Sequence, residues 1–205
     1  MQAALIDYGA SNLRSVEKAL EAAGARVTQV RAGAELGRPD VIVVPGQGHF
    51  GQAMDQIRRR GFEEVLRKKV LVEKIPYLGI CIGCQILMEE SEEAPGVRGL
   101  GWLRGRVVRF RGDLIVPHMG WNEVQPIRPN AALKAQGGQG VPPFFYFVHS
   151  YYPAPADSSA VVATCEYGGA FACAVQSENI FAVQFHPEKS QAAGRAMLTS
   201  FLQSV

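Results

Sequence analysis

A thiol stands between two glycines in Gly79-Ile80-Cys81-Ile82-Gly83, where an apolar strand hands over to a helical pattern. Small residues two before and two after a nucleophile let the strand and helix cross closely, and the sharp turn between them exposes the side chain at the top of a sheet. A cysteine at a helix N-terminus also lies near unpaired N–H groups and the positive end of the dipole, both of which favour thiolate over thiol. A buried cysteine packed as a small apolar residue fits the same five positions. The chemical reading gains weight from Phe181-Ala182-Val183-Gln184-Phe185-His186-Pro187-Glu188, an apolar run ending in a histidine with a carboxylate two positions on. Pro187 restricts His186 to extended backbone, and in extended chain residues i and i+2 share a side. His186 can then act as general base and acid while Glu188 holds its tautomer, a Cys-His-Glu arrangement for nucleophilic attack on an acyl carbon. In isolation, His-x-Glu is more often only a surface hydrogen bond; beside a cysteine elbow it is far less often so.

Two other motifs point elsewhere. Gly46-Gln47-Gly48-His49-Phe50-Gly51 follows a strand and matches G-x-G-x-x-G. A dinucleotide site needs an acidic residue about twenty positions on, at the end of the next strand. Glu63, Glu64 and Glu73 fall instead in or beside an amphipathic helix, so this turn is better suited to offering backbone N–H groups to an oxyanion. Cys81-Ile82-Gly83-Cys84 is a C-x-x-C, as in dithiol redox proteins, but that reading leaves Gly79, Gln85 and the distant His-Pro-Glu unused. No second C-x-x-C or histidine pair completes a zinc site, and no metal is expected. Cys165 and Cys173 read as strand or core residues.

The elements that must position these groups alternate. Ala3 to Ile6, Arg26 to Val30, Val41 to Val44 and Tyr77 to Ile80 read as strands; Leu13 to Ala23, Met54 to Ile57 and Phe62 to Val72 read as helices. The unbroken Val41-Ile42-Val43-Val44 suits a strand buried on both faces of a parallel sheet. This rhythm predicts an α/β fold, a doubly wound, mostly parallel sheet with helices on both faces and chemistry at the carboxyl ends of its strands. From Gly99 to Trp121 the chain is glycine-rich with β-prone pieces, expected to add antiparallel strands to one side of the sheet. A loop at 137–143, strands at Phe144 to Val148, Ala160 to Cys165, Phe171 to Val175 and Ile180 to Phe185, and a helix from Gln191 to Leu202 complete the reading. At 205 residues, 47% hydrophobic and 20% charged, the chain suits one globular domain over 1–205. A formal net charge of +2 offers no footprint for nucleic acid or membrane, and no stretch has the length of a membrane span. Four cysteines without framework density and no signal-peptide pattern fit a reducing, cytoplasmic setting.

Taken in order, Gly79-x-Cys81-x-Gly83-x-Gln85 and His186-Pro187-Glu188 resemble the nucleophile and base signatures of the class I glutamine amidotransferase family, whose fold is flavodoxin-like. The set widens with Pro45-Gly46-Gln47-Gly48, Pro117-His118-Met119-Gly120-Trp121-Asn122, Tyr146-Phe147-Val148-His149-Ser150-Tyr151 and His186-Pro187-Glu188-Lys189-Ser190. These resemble the branch that supplies ammonia to a cyclase of histidine biosynthesis, and they span nearly the whole chain. The resemblance implies Cys81, His186 and Glu188 as catalytic residues; Gly46, Gln47, Gly48 and Ile82 around the oxyanion; and Gln85, Ser150 and Tyr151 against L-glutamine. It implies no cofactor, and a heterodimer with a separate (β/α)₈-barrel cyclase, with Asn12, Trp121, Tyr146 and Lys189 at or near the interface. The chain departs from the family pattern at Gln47, commonly apolar there, and at Cys84, commonly larger. A second thiol three positions from the first is expected to speed oxidative inactivation of Cys81, through a local disulfide. The alternatives are a glutaminase of another pathway, such as that of pyridoxal phosphate synthesis, or a related module that only binds a partner.

Overall fold

The computed structural model describes residues 1–133 and 143–205; the loop expected at 137–143 lies, except for Pro143, outside the described residues. In chain order the first half runs β1 Gln2–Ile6, α1 Leu13–Ala22, β2 Arg26–Val30, β3 Val41–Val44, α2 Phe50–Arg59, α3 Phe62–Arg67, β4 Tyr77–Ile80 and α4 Ile82–Gln85. The second half runs β5 Glu90–Ser91, β6 Gly105–Arg109, β7 His118–Glu123, β8 Gln125–Pro126, β9 Phe144–His149, β10 Tyr151–Pro155, β11 Val161–Glu166, β12 Ala170–Ser177, β13 Ile180–Val183 and α5 Gln191–Ser204.

An eight-stranded sheet in the order β2-β1-β3-β4-β13-β12-β11-β8 forms the centre. Strands β2, β1, β3, β4 and β13 are mutually parallel, as the βα alternation predicts, and β12, β11 and β8 continue antiparallel. Period two divides each strand between two cores. Leu5, Val43, Ile80 and Val183 face α1 and α5, through Val16, Leu20, Met197 and Leu198. Ile6, Ile42, Val44, Tyr77 and Ala182 face α2 and α3, through Phe50, Met54, Ile57, Phe62 and Leu66. All four residues of β3 are fully buried, each worth about 1.5–3 kcal/mol, which explains its unbroken apolar run.

Three expectations require correction. The antiparallel extension comes from β8, β11 and β12, whereas the 99–121 stretch forms separate sheets: β6 lies between β10 and β5, and β7 pairs with β9. The helix expected to run to Val72 is α-helical to Arg67 and then widens to a π turn over Lys68–Val72. Strand β13 stops at Val183 rather than Phe185, because Pro187 opens a 3-10 turn over Pro187–Lys189 and the chain bends before it.

Candidate active site

Backbone geometry at Cys81 is that of an elbow: φ is +52° and ψ is −103°, a sparsely populated conformation for any side chain bearing a Cβ. The flanking glycines are required by space. A Cβ on Gly79 would collide with the Gly83 carbonyl, and one on Gly83 with the Val44 carbonyl of β3. The turn is anchored by Cys81 N–H donating to Val183 O at 2.8 Å, and Cys84 and Gln85 N–H return to Cys81 O at 2.9 and 3.1 Å. Because α4 has only four residues, the dipole argument reduces to local amides. The N–H of Ile82 is among those that a first helical turn cannot satisfy internally.

His186 follows β13, the neighbour of β4, so both chain segments leave the sheet at the same edge. Its backbone N–H donates to Tyr146 O at 2.9 Å, and its carbonyl accepts Ser190 Oγ–H at 2.6 Å. The ring Nδ1 lies 2.8 Å from Glu188 Oε1, both side chains being 1% exposed. A carboxylate can only accept, so Nδ1 carries the proton, and among the described residues Nε2 has no hydrogen-bond partner. Burial alone would lower the His186 pKa, but the nearby charge of Cys81 and the Glu188 carboxylate together raise it to about 10. That coupling places the sulfur and the ring in one electrostatic unit. His186 is extended, as Pro187 requires, but Glu188 is brought to it by the 3-10 turn over Pro187–Lys189 rather than by extended chain running on to 188.

A cleft of about 260 Å³ opens beside Cys81, lined by Gln47, Gly48, Ile82, Gln85, Glu93, Val148, His149, Ser150 and Tyr151 among others. Ligand pockets for drug-sized molecules run to about 300–1,000 Å³, so this one suits a single amino acid. Gln47 and Gly48, the latter with φ +119°, form the rim contributed by the glycine turn, and Gly46 behind them packs against Tyr8. Gln85 is buried; its Nε2 donates to Tyr151 O at 2.9 Å and to Gln184 Oε1 at 3.1 Å, while its Oε1 has no partner among the described residues. Glu93, the only carboxylate on this wall among the described residues, was not singled out from the sequence; no motif surrounds it and only the fold brings it to the cleft.

The second thiol is not a neighbour in function. Cys84 is fully buried in the cluster under α2 and α3, whereas Cys81 belongs to the opposite cluster, and burial pushes the Cys84 thiol well up. All four cysteines are free, with Cys165 and Cys173 inside the core as expected.

The residues assigned to a partner face divide. Trp121 and Tyr146 are directly paired across β7 and β9 and meet edge to face at 6.3 Å, with Lys189 Nζ 5.7 Å from the Tyr146 centroid. Met119 and Phe144 extend the same outward face and are exposed like Trp121, a stripe legible from period two but not named from sequence. Asn12, by contrast, is occupied within the chain. An asparagine before a helix ordinarily caps it, yet Asn12 makes no cap bond and its Nδ2 donates to Glu188 Oε1 at 2.9 Å.

This fold, with a strained thiol at the cleft and a buried imidazole–carboxylate pair coupled to it, defines a class. Residues 4–205 match the family described as glutamine amidotransferase class-I, and the chain belongs to that family. Solved structures attest the fold: a glutamine amidotransferase superposes with TM-score 0.76 at 20% identity, covering 98% of this chain and 97% of that one. PurLQS from Thermotoga maritima gives TM-score 0.76 at 20% identity, covering 99% and 98%. Within the family the chain groups with imidazole glycerol phosphate synthase subunits HisH. It is 47% identical to that of Methylococcus capsulatus over 212 residues, 98% of this chain and 95% of the relative. It is 43% identical to that of Salinibacter ruber over 204 residues, 96% and 92% of the two chains.

Proposed function

We propose that this chain is the glutaminase subunit of an imidazole glycerol phosphate synthase. It hydrolyses L-glutamine to glutamate and ammonia and delivers the ammonia to a (β/α)₈-barrel cyclase, bound as a heterodimer in histidine biosynthesis. The observation that carries this reading is a strained, buried cysteine at a cleft, coupled electrostatically to a buried histidine whose Nδ1 is held by a carboxylate.

Cys81 passes its proton to His186 Nε2 as Sγ attacks the side-chain amide carbon, and the carbonyl electron pair moves to oxygen. That oxyanion takes hydrogen bonds from Ile82 N–H and from the turn at Gln47 and Gly48, which must aim an N–H inward to do so. His186 Nε2 gives its proton to the departing nitrogen, leaving a glutamyl thioester and ammonia. It then takes a proton from water as the oxygen attacks, and collapse returns the sulfur and frees glutamate. Glu188 holds Nδ1–H through both steps. The substrate's α-ammonium meets Gln85 Oε1 and Glu93, and its α-carboxylate the backbone at Ser150 and Tyr151. The exposed stripe of Met119, Trp121 and Phe144, with Tyr146 and Lys189, receives the cyclase, and Asn12 links that side of the molecule to Glu188. A biosynthetic role and four unpaired cysteines fit a cytoplasmic setting for one domain spanning 1–205.

The test is glutamate release by the isolated chain, then with a cyclase subunit, then with cyclase and its ribulosyl aminoimidazole carboxamide nucleotide. Strong stimulation at the last step is expected. Hydrolysis of peptides, or indifference to the cyclase, would overturn the reading.

A further inference from the structure

Gln184 lies just past β13, fully buried between Val183 and Phe185, and the reaction as written does not use it. Burying a primary amide without partners costs about 1–3 kcal/mol, so its bonds are informative. Its backbone N–H donates to Cys173 O at 2.8 Å, and its side-chain Oε1 accepts from Gln85 Nε2 at 3.1 Å. Its side-chain Nε2 is 3.5 Å from Cys81 Sγ, within reach for a sulfur acceptor.

Which end of a buried amide is nitrogen must be settled from its network. Here a backbone carbonyl decides. Tyr151 O can only accept, so the Gln85 atom 2.9 Å from it is nitrogen. The second hydrogen of that nitrogen goes to Gln184, whose facing atom is therefore oxygen, and the Gln184 nitrogen is turned to the sulfur. The reversed arrangement sets carbonyl oxygen against carbonyl oxygen at Tyr151 and a second oxygen against the thiolate. A further line of bonds steadies the deciding carbonyl. His149 Nδ1 reaches Tyr151 O at 2.8 Å, His118 Nδ1 reaches His149 Nε2 at 3.3 Å, and Asn122 Nδ2 reaches His118 Nε2 at 3.2 Å. Read from the carbonyl outward, each ring has one donor and one acceptor and both are neutral.

We propose that Gln184 is a catalytic residue, its side-chain amide donating to Cys81 Sγ and holding the sulfur as thiolate, with Gln85 and the Tyr151 carbonyl fixing its orientation. The one-turn length of α4 gives this donor its weight, because little helix dipole is available to do the same. The inference takes its meaning from the glutaminase reading but is tested without glutamine.

The experiment is the pH dependence of Cys81 alkylation by iodoacetamide in the full chain, the adduct located by peptide mass spectrometry. Gln184→Met keeps the shape without a donor; Gln184→Glu keeps the acceptor for Gln85 and sets a charge beside the sulfur. Loss of the donor should move the alkylation midpoint up by about one pH unit, roughly tenfold slower reaction at a fixed pH below it, and further for the glutamate. An unchanged midpoint in either folded variant overturns the proposal. Should both variants fail to fold, the parent decides: the Gln184 side-chain NH₂ resonances must shift with pH at the alkylation midpoint, and their silence overturns it equally. A shifted midpoint in a chain that never hydrolyses glutamine would sink the function and leave the donor. Glutaminase activity with an unmoved midpoint would do the reverse.

Discussion

Glu188→Gln tests what Asn12 does. In the parent, Glu188 Oε1 accepts from both His186 Nδ1 at 2.8 Å and Asn12 Nδ2 at 2.9 Å. A glutamine at 188 must choose which end to present there. Both neighbours are donors, so the amide oxygen is selected and His186 keeps its tautomer. Only the charge is then lost. A charge-assisted bond is about twice as strong as a neutral one, with a net worth of about 1.5–3 kcal/mol, so the loss is about 1–1.5 kcal/mol. A further contribution from imidazolium formed in a buried site brings the expected fall in kcat to about 10–100-fold. With Asn12→Ala added, the selector is gone and the amide can turn its nitrogen to Nδ1. The wrong tautomer then prevails, and a loss approaching about 10⁴-fold is expected, as for such an inversion in serine proteases. The assay is coupled detection of glutamate from the stimulated heterodimer, comparing both single variants with the double. If Glu188→Gln alone already loses about 10⁴-fold and Asn12→Ala adds nothing, Asn12 does not orient residue 188. The pH dependence of stability supplies a second readout. Since the folded His186 pKa is raised, its contribution is present in full below about 6.5 and is lost as pH rises through about 10. The difference in urea stability between parent and Glu188→Gln should therefore shrink across that window.

Gly83→Ala drives a methyl into the Val44 carbonyl and should destabilise the chain by about 3 kcal/mol or more, read as a lower urea midpoint. Burial lowers His118 to about 4 and His149 to about 3, so their folded forms bind fewer protons than the unfolded chain. Stability should fall as pH drops from about 6.5 toward 3, and His118→Asn should flatten that slope. Cys84→Ala should cost about 1–2 kcal/mol of stability yet leave the rate of peroxide inactivation at Cys81 unchanged, because the two thiols sit in opposite cores. Trp121→Ala should weaken cyclase binding by about 2 kcal/mol or more, roughly 30-fold in Kd by calorimetry, with the fold intact.

The elbow was legible in five residues because close crossing admits only glycine at 79 and 83, a local constraint that leaves a local mark. The parallel half of the sheet was legible for a related reason: strands buried on both faces must be apolar throughout, and their helices must carry a stripe at 3.6-residue spacing. The second half was less so, since short antiparallel strands look alike before they pair, and nothing local tells β8 and β11 from β6 and β7. The imidazole and its carboxylate announced themselves through residue type, yet a 3-10 turn set their geometry where extended chain was expected. Glu93, Gln184 and the inward role of Asn12 depended on tertiary structure alone. Glu93 accepts from the Phe50 backbone N–H across 43 positions, Gln184 reaches Cys81 across 103 and Asn12 reaches Glu188 across 176, and hydrogen bonds between groups so far apart impose no period or spacing on the chain. Chemical identity is written residue by residue; which polar atoms finally face one another is decided only when the sheet is assembled.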